Sequence, residues 1–360
     1  MYYLNSLVNT ILSIFFIKFD LYMKNFLVYI SMLLLLIFSS CGGNHLKIDV
    51  SNIVIPEVKI NRLEQDIFTM DTANIKIATE KLQTKYGHFY STFIAQIINN
   101  GGLHDSSYQF RIKQFIRDRD MHEAFTQCGK KYANLDFLNE QLTETFKHFR
   151  YYFPKRNLPK PITMMSGFNY SVVMMDSTLA MGLEMYLGSN NQFYQMLTLP
   201  RYKTAFMNKD NIVPDAVHAW LMTEFPYNMN KIDFLSEITY MGKIMYLTDA
   251  LLPNVHDSLK IQYTQQQFDY CKQNEFNIWS YFAAQKLLYN TDQAEIMKFT
   301  SEGPFTSAFS KEAPPRIGHW IGWQIIKQFM KNNPDVSLEQ LMKETDAQKI
   351  LSKAKYKPGK

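Results

Sequence analysis

The residues best suited by type and spacing to chemistry stand in DAVHAWLMTEF, positions 215–225. Preceded by Asn211-Ile212-Val213-Pro214, the segment reads as a helix. A zinc peptidase helix of the H-E-x-x-H kind sets two histidines four apart, so that both imidazoles share one face. A glutamate beside the first takes a proton from the metal-bound water. Here His218 is followed by Ala219, and Met222 stands where the second histidine belongs. One ligand type is present, while the base and the second ligand are missing. A catalytic zinc needs at least three protein ligands, and His45, His88, His104, His122, His148, His256 and His319 show no ligand spacing. His218 therefore reads first as a packed or surface residue. Asp215, three residues earlier, shares its face; it is a usable ligand, and an acid in a first turn also suits the helix dipole.

A second constellation is RIGHWIGW, 316–323. Gly318 and Gly322 are four apart and leave one helical face bare, which lets another helix or strand come close. Trp320, Ile321, Ile325 and Phe329 supply an apolar stripe. Arg316 at the helix start opposes the dipole; pairing with a carboxylate such as Glu184, or with an acid of a partner, would resolve that. Nucleophilic catalysis has little support: there is no G-x-S-x-G and no serine or cysteine framed by a histidine. No glycine-rich phosphate loop is present.

The elements that must hold these residues come from a chain of 360 residues, 46% hydrophobic and 15% aromatic. That is enough for a thick helical core packed through rings. The net charge of +5 is spread without a basic block, which argues against nucleic-acid binding. The front end reads as an export signal. In MKNFLVYISMLLLLIFSSCGG (23–43), Lys24 gives a positive start and residues 26–38 an apolar core shorter than a membrane span. Ser39 and Ser40 precede Cys41, the layout of a bacterial lipoprotein signal, with an uncleaved anchor as the competing reading. Residues 1–22 look like a misassigned extension ahead of Met23, residues 23–40 like the signal peptide, and residues 41–360 like one mainly helical domain. No later segment is apolar for 18 residues in a row. Cys128 and Cys271 suit a disulfide or two buried thiols equally.

Along the mature chain, SNIVIPEVKI (51–60) alternates and contains Pro56, suggesting an edge strand. From 61 to 153 the pattern is helical; Leu138, Leu142, Phe146 and Phe149 form an amphipathic stripe that Pro154 ends. ITMMSGFNYSVVMMDSTLAMGLEMYLG (162–188) reads as a small antiparallel sheet, with turns at Gly167–Asn169 and Asp176-Ser177. Helices follow over 214–225, 231–250, 264–289 and 315–331. Ser337 and Asp346 look like N-caps of two last helices. The sum is an α+β fold, predominantly α-helical, with the small sheet packed on helices.

RLEQDIF (62–68), YYFP (151–154), LEMYLG (183–188), MGKIMYLTDALLP (241–253), GPFT (303–306), RIGHWIGWQII (316–326) and KYKP (355–358), behind the lipobox, resemble the GldB family of gliding-motility lipoproteins of the Bacteroidota. That family is in turn similar to predicted zinc-dependent peptidases. Those carry H-E-x-x-H where this chain has His218-Ala219-Trp220-Leu221-Met222, and take a third ligand from an E-G-x-A helix at whose glutamate position Met241 stands here. A thioether is a poor zinc partner beside imidazole or carboxylate. The resemblance implies a zincin-like scaffold whose site is degenerate at His218, Ala219, Met222 and Met241. It implies no catalytic residue and no cofactor beyond a lipid on Cys41. The expected protein is a non-catalytic, periplasm-facing, lipid-anchored component of gliding motility or type IX secretion, in contact with envelope proteins and a GldC-like partner. Asp215, Glu184, Arg316 and His319 are the candidate cleft residues. The alternatives are a metallopeptidase with displaced ligands (Asp215, His218 and Glu184) and a structural envelope lipoprotein.

Overall fold

The computed structural model describes residues 46–359; Cys41, the lipobox and the two N-terminal segments lie outside the described residues. From Ile48 onward the chain forms one compact unit. A two-residue strand β1 (Asn61–Arg62) leads into α1 (Leu63–Phe68), α2 (Ile75–Tyr86), α3 (His88–Thr92) with a π-helical turn at Phe93–Ile97, α4 (Tyr108–Arg117), α5 (Arg119–Lys131) and α6 (Asp136–Tyr152). Three strands follow: β2 (Lys160–Met164), β3 (Val172–Met175) and β4 (Thr178–Gly182). After a 3-10 turn at Leu183–Tyr186 come the short α7 (Gln192–Met196) and α8 (Arg201–Thr204), then α9 (Ile212–Glu224) and α10 (Phe234–Leu251). The remainder is α11 (Asp257–Ile261), α12 (Gln265–Ala284), α13 (Gln293–Thr300), α14 (Ile317–Asn332), α15 (Leu338–Lys343) and α16 (Ala347–Ala354).

The fold is α+β and mainly helical, as expected, but the sheet is mixed. Its order is β1-β2-β4-β3; β1, β2 and β4 run parallel, and only the β3–β4 hairpin is antiparallel. The Asp176-Ser177 turn closes that hairpin, with Asp176 at φ 51°. The Gly167–Asn169 turn does not make a second hairpin, because β4 inserts between β2 and β3. Alternation of side chains reveals that strands exist but not which neighbour each one takes. The expected strand over 51–60 is also corrected. That stretch makes no ladder, Val54 is 89% exposed, and pairing begins only at Asn61 with Ile162. Pro56 removes a ladder donor from the middle of the segment.

α10 is the axis of the C-terminal half: every residue except Glu237 is buried, as a helix apolar on all sides must be. α14 crosses it at two glycines. A Cβ on Gly242 would overlap the Gly322 backbone, and one on Gly322 would overlap the Ile238 carbonyl. The bare face foreseen at Gly318 and Gly322 therefore receives α10. The stripe on α6 is buried as read, and Trp220 of α9 packs on its Phe146 and Phe149 rings at 5.4 and 4.3 Å. Ser337 and Asp346 cap the last two helices; Ser337 forms a full capping box with Gln340. Cys128 and Cys271 are separate buried thiols.

Candidate functional site

Trp220 fixes which way α9 faces. With Ala216, Val217, Trp220 and Leu221 turned into the core, Asp215, His218, Ala219 and Met222 fall at i, i+3, i+4 and i+7 on the opposite face. Pro214 is tolerated because it lies in the first turn, where its missing N–H has no partner to lose. That face floors a groove. The parallel contribution of α10 is Glu237, Met241 and Met245, one turn apart from each other. Arg316 and His319 enter from the start of α14, and Lys260 to Gln262 from the end of α11.

The groove has two lobes, of about 410 and 440 Å³. They meet at Ser171, Val172, Asp215, Gln262, Glu302 and Arg316, which line both. Part of one wall is Ser171 and Val172, at the start of β3, the last strand of the described sheet. Gly182 donates its N–H to the Ser171 carbonyl, so the bonded pairs of the hairpin are 171/182, 173/180 and 175/178. The N–H and C=O groups of Val172 and Met174 therefore point away from β4, toward the open edge.

Asp215 is half-buried. Tyr186 donates its hydroxyl to one carboxylate oxygen at 2.9 Å and Gln262 its amide to the other at 2.6 Å. Burial nevertheless outweighs both bonds and lifts its pKa from 3.8 to about 6. His218 and His319 have no side-chain hydrogen bond among the described residues. Burial first, then the Arg316 charge, lowers His218 to about 4; the same causes, with His218 added, push His319 well below the usual histidine range. Both imidazoles are neutral at pH 7. Glu237, also on the groove wall, is raised by burial.

Arg316 has left-handed backbone at φ 54°, uncommon for a side chain of this kind. Tyr263 holds it there, its hydroxyl donating to the carbonyls of Pro315 and Arg316 at 2.8 and 3.2 Å. The guanidinium turns away from its own helix and donates to the Ile261 carbonyl at 3.1 Å, at the C-terminal end of α11. There the helix dipole favours a cation, which removes the conflict seen in the sequence.

Seven of the eight nominated positions thus converge: Asp215, His218, Ala219, Met222, Met241, Arg316 and His319. Glu184 does not. It is fully buried behind the groove, accepting from Ser166 N at 2.6 Å, Ser166 Oγ at 2.5 Å and Phe168 N at 3.2 Å. Among the described residues it pairs with no arginine, so the expected Arg316–Glu184 bridge is corrected, and Glu184 does not join Asp215 and His218 in the lining of the groove. Its effect on the groove is indirect: it anchors the Ser166–Phe168 turn that carries Asn169, Tyr170 and Ser171 to the wall. Among the described residues, no three His, Cys, Asp or Glu side chains stand close enough together to hold a metal ion. Tyr186, Glu237, Lys260, Gln262 and Glu302 were not foreseen. Glu237 was the one with a signal, four residues before Met241 on a helix; the others come from turns and short segments that no periodicity marks.

A family model described as gliding motility protein GldB matches residues 43–358. The chain belongs to the GldB family. No curated protein and no solved structure gives a significant match. The family match spans both lobes of the groove and all the helices that build it. Among the described residues of this GldB-family chain, no helix is long and apolar enough to cross a membrane.

Proposed function

We propose that this GldB-family protein is a lipid-anchored, periplasm-facing component of the gliding-motility or type IX secretion apparatus that works by protein contacts and not by hydrolysis. A signal peptide over 23–40 would deliver it, a lipid on Cys41 would hold it to the membrane, and the domain that follows would present the groove. The observation that carries the reading is a convergence. His218, Ala219, Met222 and Met241, the positions that resemble a zinc-peptidase site, all face one groove, and Val172 in its wall begins a strand whose outer edge is unpaired among the described residues. Such a frame is zincin-like in outline, with alanine where the base would stand and thioethers where ligands would stand. What it retains is a shaped hollow and an edge able to take an extended segment by strand addition. A GldC-like protein is one partner for such a segment; other envelope proteins are also served by the same geometry.

Photo-cross-linking in native envelopes tests this. A cross-linker at Met222, 40% exposed on the groove face, is expected to trap a discrete protein partner. One at Ile77, 54% exposed on α2, is expected not to. A partner trapped at Ile77 and absent at Met222 would contradict the docking role of the groove.

A further inference from the structure

Arg316 stands at the waist where the two lobes meet, and it makes no direct ion pair among the described residues. No carboxylate lies within 4.0 Å of it among the described residues. Its Nη2 is held by Ile261 and by Gln262 Oε1 at 3.4 Å, and its Nε is buried without a partner. The Arg316 charge favours the ionised form of Asp215 across the waist, but the hydrogen bonds and ion pairs of the neighbouring charged groups go to other residues. Asp215 is held by Tyr186 and Gln262, Glu302 pairs with Lys203 at 3.1 Å, and Lys260 pairs with Asp249 and Asp257 at 2.9 and 3.0 Å. Beside Arg316, His319 is 9% exposed, lines the lobe and has no hydrogen-bond partner among the described residues. A half-buried guanidinium without an ion pair, next to an imidazole with no hydrogen-bond partner among the described residues, is suited to a carboxylate.

We infer that the segment docking along β3 carries an aspartate or glutamate side chain that Arg316 binds at the waist, with His319 as an additional hydrogen-bond donor. The groove continues on both sides of Arg316, so a chain filling it passes the arginine and does not end there. The carboxylate is therefore a side chain and not a C-terminus. The Val172 and Met174 backbone groups fix the segment's path, and Arg316 fixes its register. This inference rests on the strand-docking function proposed above and adds the chemistry of the partner.

The test is selection of random octapeptides, displayed between fixed flanks without a free terminus, on the full chain in detergent. Peptides enriched in Asp or Glu at one position are expected, and the enrichment should vanish on Arg316→Gln. For the best peptide, Glu→Gln should weaken binding to the native chain about ten-fold, and should change nothing on Arg316→Gln. Arg316→Lys, which keeps the charge and loses the fork, should fall between and guards against a folding defect. Groove peptides with no acidic preference, or with one that survives Arg316→Gln, overturn the inference and leave strand docking standing. Peptides that bind Met174→Pro unchanged, or no peptides at all, overturn strand docking itself.

Discussion

Gly322 of α14 lies against the Ile238 carbonyl of α10 so closely that a Cβ would overlap it. That contact sets the spacing of the two helices that carry Met241 and His319 into the groove. Alanine is the better helix former by about 1 kcal/mol, yet the neighbour here is backbone and cannot rotate aside. Gly322→Ala should therefore destabilise the protein by about 1–3 kcal/mol, read as a lower urea midpoint. A neutral or stabilising outcome would mean the helices are not held at this distance.

Glu184 gives the protein a pH-dependent weakness. Burial raises its pKa from 4.5 to about 7, so the folded state favours the protonated form. Its contribution is full below pH 4.5 and is lost as pH rises through about 7, a swing of about 3 kcal/mol. Glu184→Gln keeps an oxygen for Ser166 and Phe168 and cannot ionise. It should flatten the stability profile across that window and raise stability at pH 8. An unchanged profile would show that Glu184 is charged in the folded protein at pH 7 without penalty.

His218 reports on Arg316. Its pKa of about 4 is set mainly by burial and secondarily by the arginine's charge. Removing a nearby cation favours protonation, so Arg316→Gln should raise the His218 pKa while leaving it below 6.5. Histidine side-chain NMR titration measures both, and an unmoved His218 would place Arg316 out of electrostatic reach.

Met174→Pro tests the free edge. Its N–H points away from β4, so proline removes a donor that the sheet does not use. Thermal stability should change little, whereas cross-linking of the partner at Met222 should fall. Val173→Pro, which removes an N–H bonded to β4, should instead unfold the hairpin and lower the melting temperature.

The sequence revealed most where one face of an element must be dry. The stripe Leu138, Leu142, Phe146, Phe149 and the bare face of Gly318 and Gly322 are consequences of burial, and burial leaves a period in the chain. His218, Ala219, Met222 and Met241, which share one lobe, are legible because their spacing resembles that of a zinc-peptidase motif. Glu184 was misplaced because a carboxylate carries no local sign of which backbone it will anchor. Gln262 and Glu302 reach the groove from turns, and the insertion of β4 beside β2 is a long-range choice of neighbour; neither leaves a pattern within a window of residues.

The proposed function requires that the groove at His218 hold no catalytic metal. The most direct measurement is the transition-metal content of the purified full chain, by mass spectrometry, for the native protein and for His218→Ala. The account predicts well under one zinc per chain and no difference between the two. One zinc per native chain, lost on His218→Ala, would contradict it.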